Sequence, residues 1–395
     1  MANQPNTGKR MLLTGSILQL FLGIIYVWSV FVLPVSEYFK WEASSVKLTS
    51  SFMLCCFVLG ILIGGKLQVK IGTSKIVLFG GLFMAAGMLL TSFIPITAPW
   101  LIYISYGILG GFGVGMAYNA IISCAQSWFV HKRGLATGIS VCTFGFSTVL
   151  FAPVVELLIK EFSLIATFRI LAAAFFLVTI LLFKFITMPE NISNQKKSAA
   201  VLNTKQYTTS EVIKTPAFYM IMFSMMFLTS SYFILNPSFK TFALERGMDA
   251  NIGTVLVMLT GVANALGRLA VPLLADKIGR EKAVITIILA TAVSTAALCF
   301  ATGPLFMIAV AIIAFCYGGS SGVYPLVTAD YFGIKNIGSN YGAVMIGFAC
   351  SALCFPIIIG LIKDTTAKFI VLAVLVTLGS ILIGILLSQK KKVQQ

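Results

Sequence analysis

Residues 252–282 read IGTVLVMLTGVANALGRLAVPLLADKIGREK, an apolar run that ends in a dense charged turn. About 20 mostly apolar residues suffice to cross a bilayer as a helix, and this run is long enough. One arginine, Arg268, interrupts it. The charged turn opens at Asp276, eight residues later. At about 1.5 Å of rise per helical residue, the Arg268 backbone lies roughly 12 Å inside a hydrocarbon layer about 30 Å thick. A guanidinium at that depth costs at least about 2.5 kcal/mol on insertion scales. Something must offset that cost, and the rest of the chain is read for what does.

The surrounding sequence is of the same kind. Hydrophobic residues make up 58% of the 395 and charged residues 10%, against about a quarter charged in a soluble domain. An integral membrane protein is expected, with no room for a large soluble domain. The net charge of +16 is spread over short loops between apolar runs. That is the positive-inside pattern of membrane topology, and it argues against nucleic acid as a partner. The eight cysteines fall in or beside apolar runs, with neither zinc-site nor secreted-disulfide spacing, so packing is their expected role.

Counting apolar runs predicts twelve transmembrane helices. The first runs from Met11 to Leu33 and stops at Pro34. The next five are 48–65, 76–94, 101–125, 135–158 and 164–186. A polar, Asn/Lys/Ser/Thr-rich segment at 189–214 reads as a flexible cytoplasmic linker. The second six are 216–237, the opening stretch, 283–301, 305–327, 338–362 and 368–387, followed by the basic tail KKKVQQ. The expected domains are thus 1–188 and 215–395, joined by the linker. Mixed charge in the odd-to-even loops (Glu37 to Lys47; Lys240, Glu245, Arg246, Asp249) and basic charge in the others put both termini in the cytoplasm. The expected location is the plasma (cytoplasmic) membrane, the inner membrane of a bacterial cell.

The halves repeat. KLQVKIGTSK after the second span has the shape of LLADKIGREK after the eighth, with Gly72 and Gly279 207 residues apart. WFVHKRGLATG after the fourth resembles YFGIKNIGSNYG after the tenth, with Phe129 and Phe332 203 apart. Such repeats predict a substrate site between the halves near the membrane midplane.

Scanning span interiors for charge finds Arg268 and little else. Glu156, Lys184, Asp330, Lys363 and Asp364 lie near run ends, within reach of the interface. With no deep carboxylate as partner, a bound anion is the simplest one, and a guanidinium fork suits a carboxylate. Pairing with backbone carbonyls or water is the structural alternative. Tyr26, Tyr118, Tyr317 and Tyr324 each carry a hydroxyl beside an apolar ring, although packing is the usual role of a tyrosine in such a helix. Asn119 follows Tyr118 and needs a partner in a span. Asn264, one turn before Arg268, either orients the guanidinium or bridges two helices. The glycines of LGGFGVG lack a following Lys-Ser/Thr and read as helix contacts, not a phosphate loop. His131 stands beside Lys132 and Arg133 in a loop. Neither a catalytic triad nor a metal cluster can be assembled, so no enzyme activity and no cofactor are expected.

The loop LLADKIGRE resembles the signature of the major facilitator superfamily, with Asp276, Gly279 and Arg280 in its key positions, a gating motif in that family. The first-half copy departs from it, with Val69 in the acidic position and Thr73 in the basic one. YVWSVFVLP (26–34), GVGMAYN (113–119), WFVHKRGLATG (128–138), GRLAVPLLADKIGR (267–280), FCYGGSSGVYP (315–325) and NYG (340–342) together look like the oxalate/formate antiporter family and the related monocarboxylate (lactate/pyruvate) transporters. The resemblance covers nearly the whole chain. It implies an all-α fold of twelve helices in two six-helix pseudo-repeats. Arg268 falls on the arginine that binds the substrate carboxylate. Tyr26 and Tyr118 fall on aromatic positions of the oxalate pocket, and Tyr317 on that of a cavity tryptophan. Phe144 and Ser321 replace pocket tyrosines. Phe348 occupies the position of the lysine that pairs with the second carboxylate of oxalate. Asn264 stands where animal monocarboxylate transporters carry an aspartate implicated in proton coupling.

One fixed positive charge suits one carboxylate, and an unpaired second one in an apolar site is expensive. The expectation is a secondary transporter of a small monocarboxylate of the lactate or pyruvate type, coupled to a proton and working by alternating access in the lipid bilayer. An anion exchanger of the oxalate/formate type is the first alternative. A non-transporting membrane sensor is a remote one, since no output domain is evident.

Overall fold

Inside a bilayer each backbone N–H and C=O must find its partner within the protein, which a helix provides segment by segment. The computed structural model describes residues 4–189, 206–235, 242, 248, 250–362 and 364–394, and its long elements are helices. Six precede the polar segment: α1 (Thr7–Phe39), α2 (Ala43–Ile71), α3 (Thr73–Thr91), α4 (Tyr103–Trp128), α5 (Val130–Glu161) and α6 (Leu164–Phe185). Six follow it: α7 (Pro216–Leu235), α8 (Ala250–Ile278), α9 (Arg280–Ala297), α10 (Gly303–Phe332), α11 (Ile337–Gly360) and α12 (Thr365–Gln394). Among the described residues, ten are long and apolar enough to cross a membrane. The other two, α8 and α9, occupy the expected eighth and ninth positions with 29 and 18 residues.

Several boundaries differ from expectation. α1 does not stop at Pro34 but runs to Phe39, where Lys40 takes a left-handed conformation and closes it. Proline is tolerated within membrane helices because neighbours re-satisfy the freed backbone groups. Pro153, Pro272 and Pro325 likewise lie inside helices. α1 tightens into a 3₁₀ stretch at Gly23–Val27, and α4 opens with a π-helical stretch at Tyr103–Gly110. α12 carries the basic tail on as helix to Gln394. Most of the expected linker, with the loop charges Lys240, Glu245, Arg246 and Asp249, and Lys363, lies outside the described residues. The end of that segment is not structureless: Thr209–Val212 form one helical turn, with a reciprocal cap between Thr208 and Glu211.

The helices group into two compact units, Met1–Gln206 with Phe332–Gly342, and Tyr207–Tyr331 with Ala343–Gln395. Each unit contains the same crossing of two helices. In the first, a Cβ built on Gly60 of α2 would strike the Phe112 carbonyl of α4, and one on Gly115 of α4 the Phe57 carbonyl of α2. In the second, Gly267 of α8 meets the Phe315 carbonyl of α10, and Gly318 of α10 the Asn264 carbonyl of α8. The offsets of 207 and 203 read from the sequence carry the first set of contacts onto the second. Small residues let the two backbones touch, the usual means of helix association where the hydrophobic effect is absent.

Gly72 and Gly279 join α2 to α3 and α8 to α9 at φ of 89° and 95°, with ψ of 155° and 148°. That region is essentially restricted to glycine. No neighbouring atom would obstruct a side chain at either position, so backbone strain alone demands glycine there. Gly279→Ala is therefore expected to destabilise the protein by about 1–3 kcal/mol, read as a lower thermal midpoint of the purified protein in detergent.

Candidate functional site

Arg268 is 1% exposed, the largest fully buried side chain among the described residues. Its Nε donates to Asn264 Oδ1 at 2.9 Å, one helical turn earlier. Asn264 thus orients the guanidinium, and being neutral it does so without cancelling the charge. Pro272, one turn later, has no N–H to give the Arg268 carbonyl, so the helix ladder is interrupted at this turn. Gly322 of α10 packs against Pro272 and the Arg268 carbonyl. The GGSSG run of α10 is what brings α10 this close.

Tyr317, just before Gly318, belongs to an aromatic cluster in the same unit. It stacks on Tyr232 at 3.8 Å between ring centroids and meets Phe233 edge-on at 5.5 Å. Phe348 joins from α11, 5.0 Å from Phe233 and 6.2 Å from Tyr317. Phe348 is thus buried among aromatic rings rather than facing lipid. Tyr232 and Phe233 of α7 escaped the reading of the sequence, where adjacent aromatics after the polar run TSS were the available signal.

Tyr324 and Asn119 are placed differently. Ser224 Oγ donates to the Ile221 carbonyl, which leaves the Tyr324 hydroxyl to donate to Ser224 Oγ across 3.0 Å. Tyr324 is fully buried and ties α10 to α7. Tyr324→Phe is expected to cost about 1 kcal/mol of stability and to leave the KM for substrate within about twofold of wild type, measured by tracer uptake. Asn119 Nδ2 donates to the carbonyls of Gly338 at 2.6 Å and Ile61 at 3.4 Å, so it binds backbone within the first unit.

Tyr26 and Tyr118 come together in the first unit around Phe144, at centroid distances of 5.4 Å and 4.7 Å. Phe57 closes the group, 5.2 Å from Tyr118. Phe57 is the first-unit counterpart of Asn264 by the 207-residue offset, and Ile61 that of Arg268. The buried charge is therefore confined to one of two otherwise matching crossings.

In the signature loop, Arg280 Nη2 lies 2.9 Å from Asp276 Oδ1, and its Nε lies 3.4 Å from Asp330 Oδ2 at the end of α10. Sequence reading placed Asp330 near a run end without seeing this pairing. The departed copy in the first unit is a neutral network instead. Gln68 Nε2 donates to Thr73 Oγ1 at 3.0 Å and to Ser123 Oγ at 2.9 Å. His131 is exposed, as expected for a loop residue. One charge was overlooked: Arg169, in the first turns of α6, where Nε donates to Ser92 Oγ at 3.3 Å and the guanidinium lies over the Phe93 ring.

The Major Facilitator Superfamily family model matches residues 13–326 and 221–395. Among similar proteins are the MFS-type transporter YhjX of Escherichia coli, 26% identical over 89% of this chain and 88% of its own, and the oxalate:formate antiporter of Oxalobacter formigenes, 25% identical over 86% and 83%. Monocarboxylate transporter 12 of Rattus norvegicus is 25% identical over 90% and 80%. Two solved structures share the fold. The Escherichia coli fucose:proton symporter FucP superposes with a TM-score of 0.72 at 15% identity, covering 95% of this chain and 98% of that one. The proton:xylose symporter XylE gives 0.71 at 14%, covering 96% and 95%. A family match over nearly the whole length, two units built on one repeated helix crossing, and a chain of membrane-spanning helices agree: this is a multi-pass membrane transporter, not an enzyme, and it belongs to the Major Facilitator Superfamily.

Proposed function

We propose that the chain transports a small monocarboxylate of the lactate or pyruvate type together with a proton, by alternating access, and that Arg268 binds the carboxylate. The observation that carries this reading is the buried guanidinium, held at Nε by a neutral asparagine, in the unit that also holds the aromatic cluster of Tyr232, Phe233, Tyr317 and Phe348. A guanidinium is a planar fork that matches a carboxylate with two parallel hydrogen bonds. The rings of Tyr317, Tyr232, Phe233 and Phe348 suit the apolar end of lactate or pyruvate. With Phe348 in that cluster, no second cation stands there among the described residues, and a dicarboxylate is disfavoured. The names of relatives, an oxalate:formate antiporter and monocarboxylate transporters, support the substrate class. Tyr26 and Tyr118 are proposed as the aromatic contribution of the first unit, and the Asp276–Arg280–Asp330 cluster as a gating element. Tyr324 and Asn119 are proposed as helix ties. The proposed location is the cytoplasmic membrane with both termini inside.

A monovalent anion carried with one proton crosses without net charge, so a pH gradient drives it. In proteoliposomes, an inwardly directed proton gradient is expected to accumulate labelled pyruvate at least fivefold over the no-gradient control, without anion inside. Uptake that requires internal anion and ignores the gradient would establish exchange instead, the second reading, which the antiporter relative favours.

A further inference from the structure

Two helices of the first unit carry facing stripes whose serines, threonine and glutamine nothing above uses. On α1 the stripe is Ser16, Gln19, Gly23 and Tyr26; on α5 it is Thr137, Ser140, Phe144 and Ser147. Both are spaced three, four and three residues apart, which keeps each near one helix face. Their register is set by Gly23, which packs against the Phe144 carbonyl and the Ser147 Cβ. Counting back one turn from that contact on each helix brings Gln19 to the level of Ser140. α4 completes the seam: Gln19 Nε2 donates to the Tyr118 carbonyl at 3.1 Å, and Gln126 Nε2 to Thr137 Oγ1 at 3.2 Å.

Five side-chain atoms along this seam are buried and have no hydrogen-bond partner in the protein: Ser16 Oγ, Gln19 Oε1, Gln126 Oε1, Ser140 Oγ and Ser147 Oγ. Gln19, Gln126, Ser140 and Ser147 are all 0% exposed. A buried polar group without a partner is costly, and native proteins leave very few of them, commonly satisfying them through internal water. Five along one three-helix seam is a pattern rather than scatter. It runs from Gln126 and Thr137, near the end of the bundle where α5 starts, to the aromatic group of Tyr26, Phe144 and Tyr118.

We propose that this seam is a water-binding site: a file of internal waters held by Ser16, Gln19, Gln126, Ser140 and Ser147. Resting on the symport reading above, it serves as the path by which the coupled proton travels between the cytoplasmic end of the first unit and its aromatic face. Serine hydroxyls donate and accept, and the amide oxygens accept, so a water chain there has partners of both kinds along its length. The path needs no buried carboxylate, because hydroxyls, amides and water relay the proton.

The test uses the full-length protein in lipid nanodiscs and proteoliposomes. Radiolytic hydroxyl-radical footprinting labels side chains next to bound water. Phe144 and Tyr118, 1% and 3% exposed, are expected to be oxidised in the wild type at least threefold faster than Phe168, which is 0% exposed and outside the seam. Ser140→Val removes a hydroxyl and Ser140→Thr keeps it at nearly the same volume. The valine variant is expected to lose at least threefold in Phe144 and Tyr118 oxidation and at least fivefold in gradient-driven pyruvate uptake, while retaining pyruvate counterflow; the threonine variant retains all three. Phe144 and Tyr118 no more oxidised than Phe168, or equal behaviour of the valine and threonine variants, overturns the file. A wild type that ignores the proton gradient sinks the symport reading instead, and the footprint then decides the water file by itself.

Discussion

Arg268→Ala is expected to abolish saturable pyruvate uptake, with kcat/KM falling by about two to four orders of magnitude. That is the range corresponding to about 3–5 kcal/mol for removing one partner of a desolvated charge pair. Arg268→Lys should fall by about 10- to 100-fold, because an ammonium is a point charge and cannot give two parallel hydrogen bonds to one carboxylate. It also loses the Nε that Asn264 holds. A second readout separates binding from folding. Removing a desolvated charge should leave the thermal midpoint of the substrate-free alanine variant at or above wild type. Substrate should then raise the midpoint of the wild type and not of the variant. Wild-type uptake by Arg268→Ala would remove the arginine from the site.

Phe348→Lys tests the other half of the specificity argument. Phe348 lies in the ring cluster with Phe233 and Tyr317, in the unit that also holds Arg268. A lysine there supplies the second cation that a dicarboxylate requires. The expected result is a gain of oxalate recognition: oxalate should compete with labelled substrate at a concentration at least tenfold lower than it needs on the wild type. Pyruvate uptake should fall about tenfold or more, since a buried lysine without a partner is costly or gives up its proton. Wild-type inhibition by oxalate equal to that by pyruvate would show that Phe348 does not exclude the second carboxylate.

These two experiments depend on different parts of what the sequence made legible. The helices were legible because a bilayer requires long uninterrupted apolar runs and leaves charges at their ends. Arg268 stood out for the same reason. The repeat was legible in two loop pairs, and its offsets carry over to the glycine contacts that hold α2 on α4 and α8 on α10. Helix ends were harder to read. Pro34 looked like a stop, yet α1 continues through it, because a proline inside a membrane helix is resolved by neighbours that sequence does not show.

The site was legible in its charge and not in its hydroxyls. Tyr26, Tyr118, Tyr317 and Tyr324 look alike along the chain. Only packing separates Tyr324, whose hydroxyl is spent on Ser224, from Tyr317, which stacks on Tyr232. Asn119 and Asn264 are equally polar in equally apolar helices, yet one binds backbone carbonyls and the other orients the arginine. Asp330 likewise became a partner of Arg280 only once α10 was laid beside the signature loop.

The sequence by itself determined the membrane-spanning helices, the repeated halves and the one deep charge, because these follow from the cost of polar groups in hydrocarbon, which acts residue by residue. The tertiary structure alone decided which polar side chains are tied to other helices, which rings form the wall beside Tyr317, and which buried groups find no protein partner. The reason is geometric: a hydrogen bond or a ring contact is specified by atoms a few ångströms apart, and residues about a hundred positions apart, such as Ser224 and Tyr324, meet only when the helices pack.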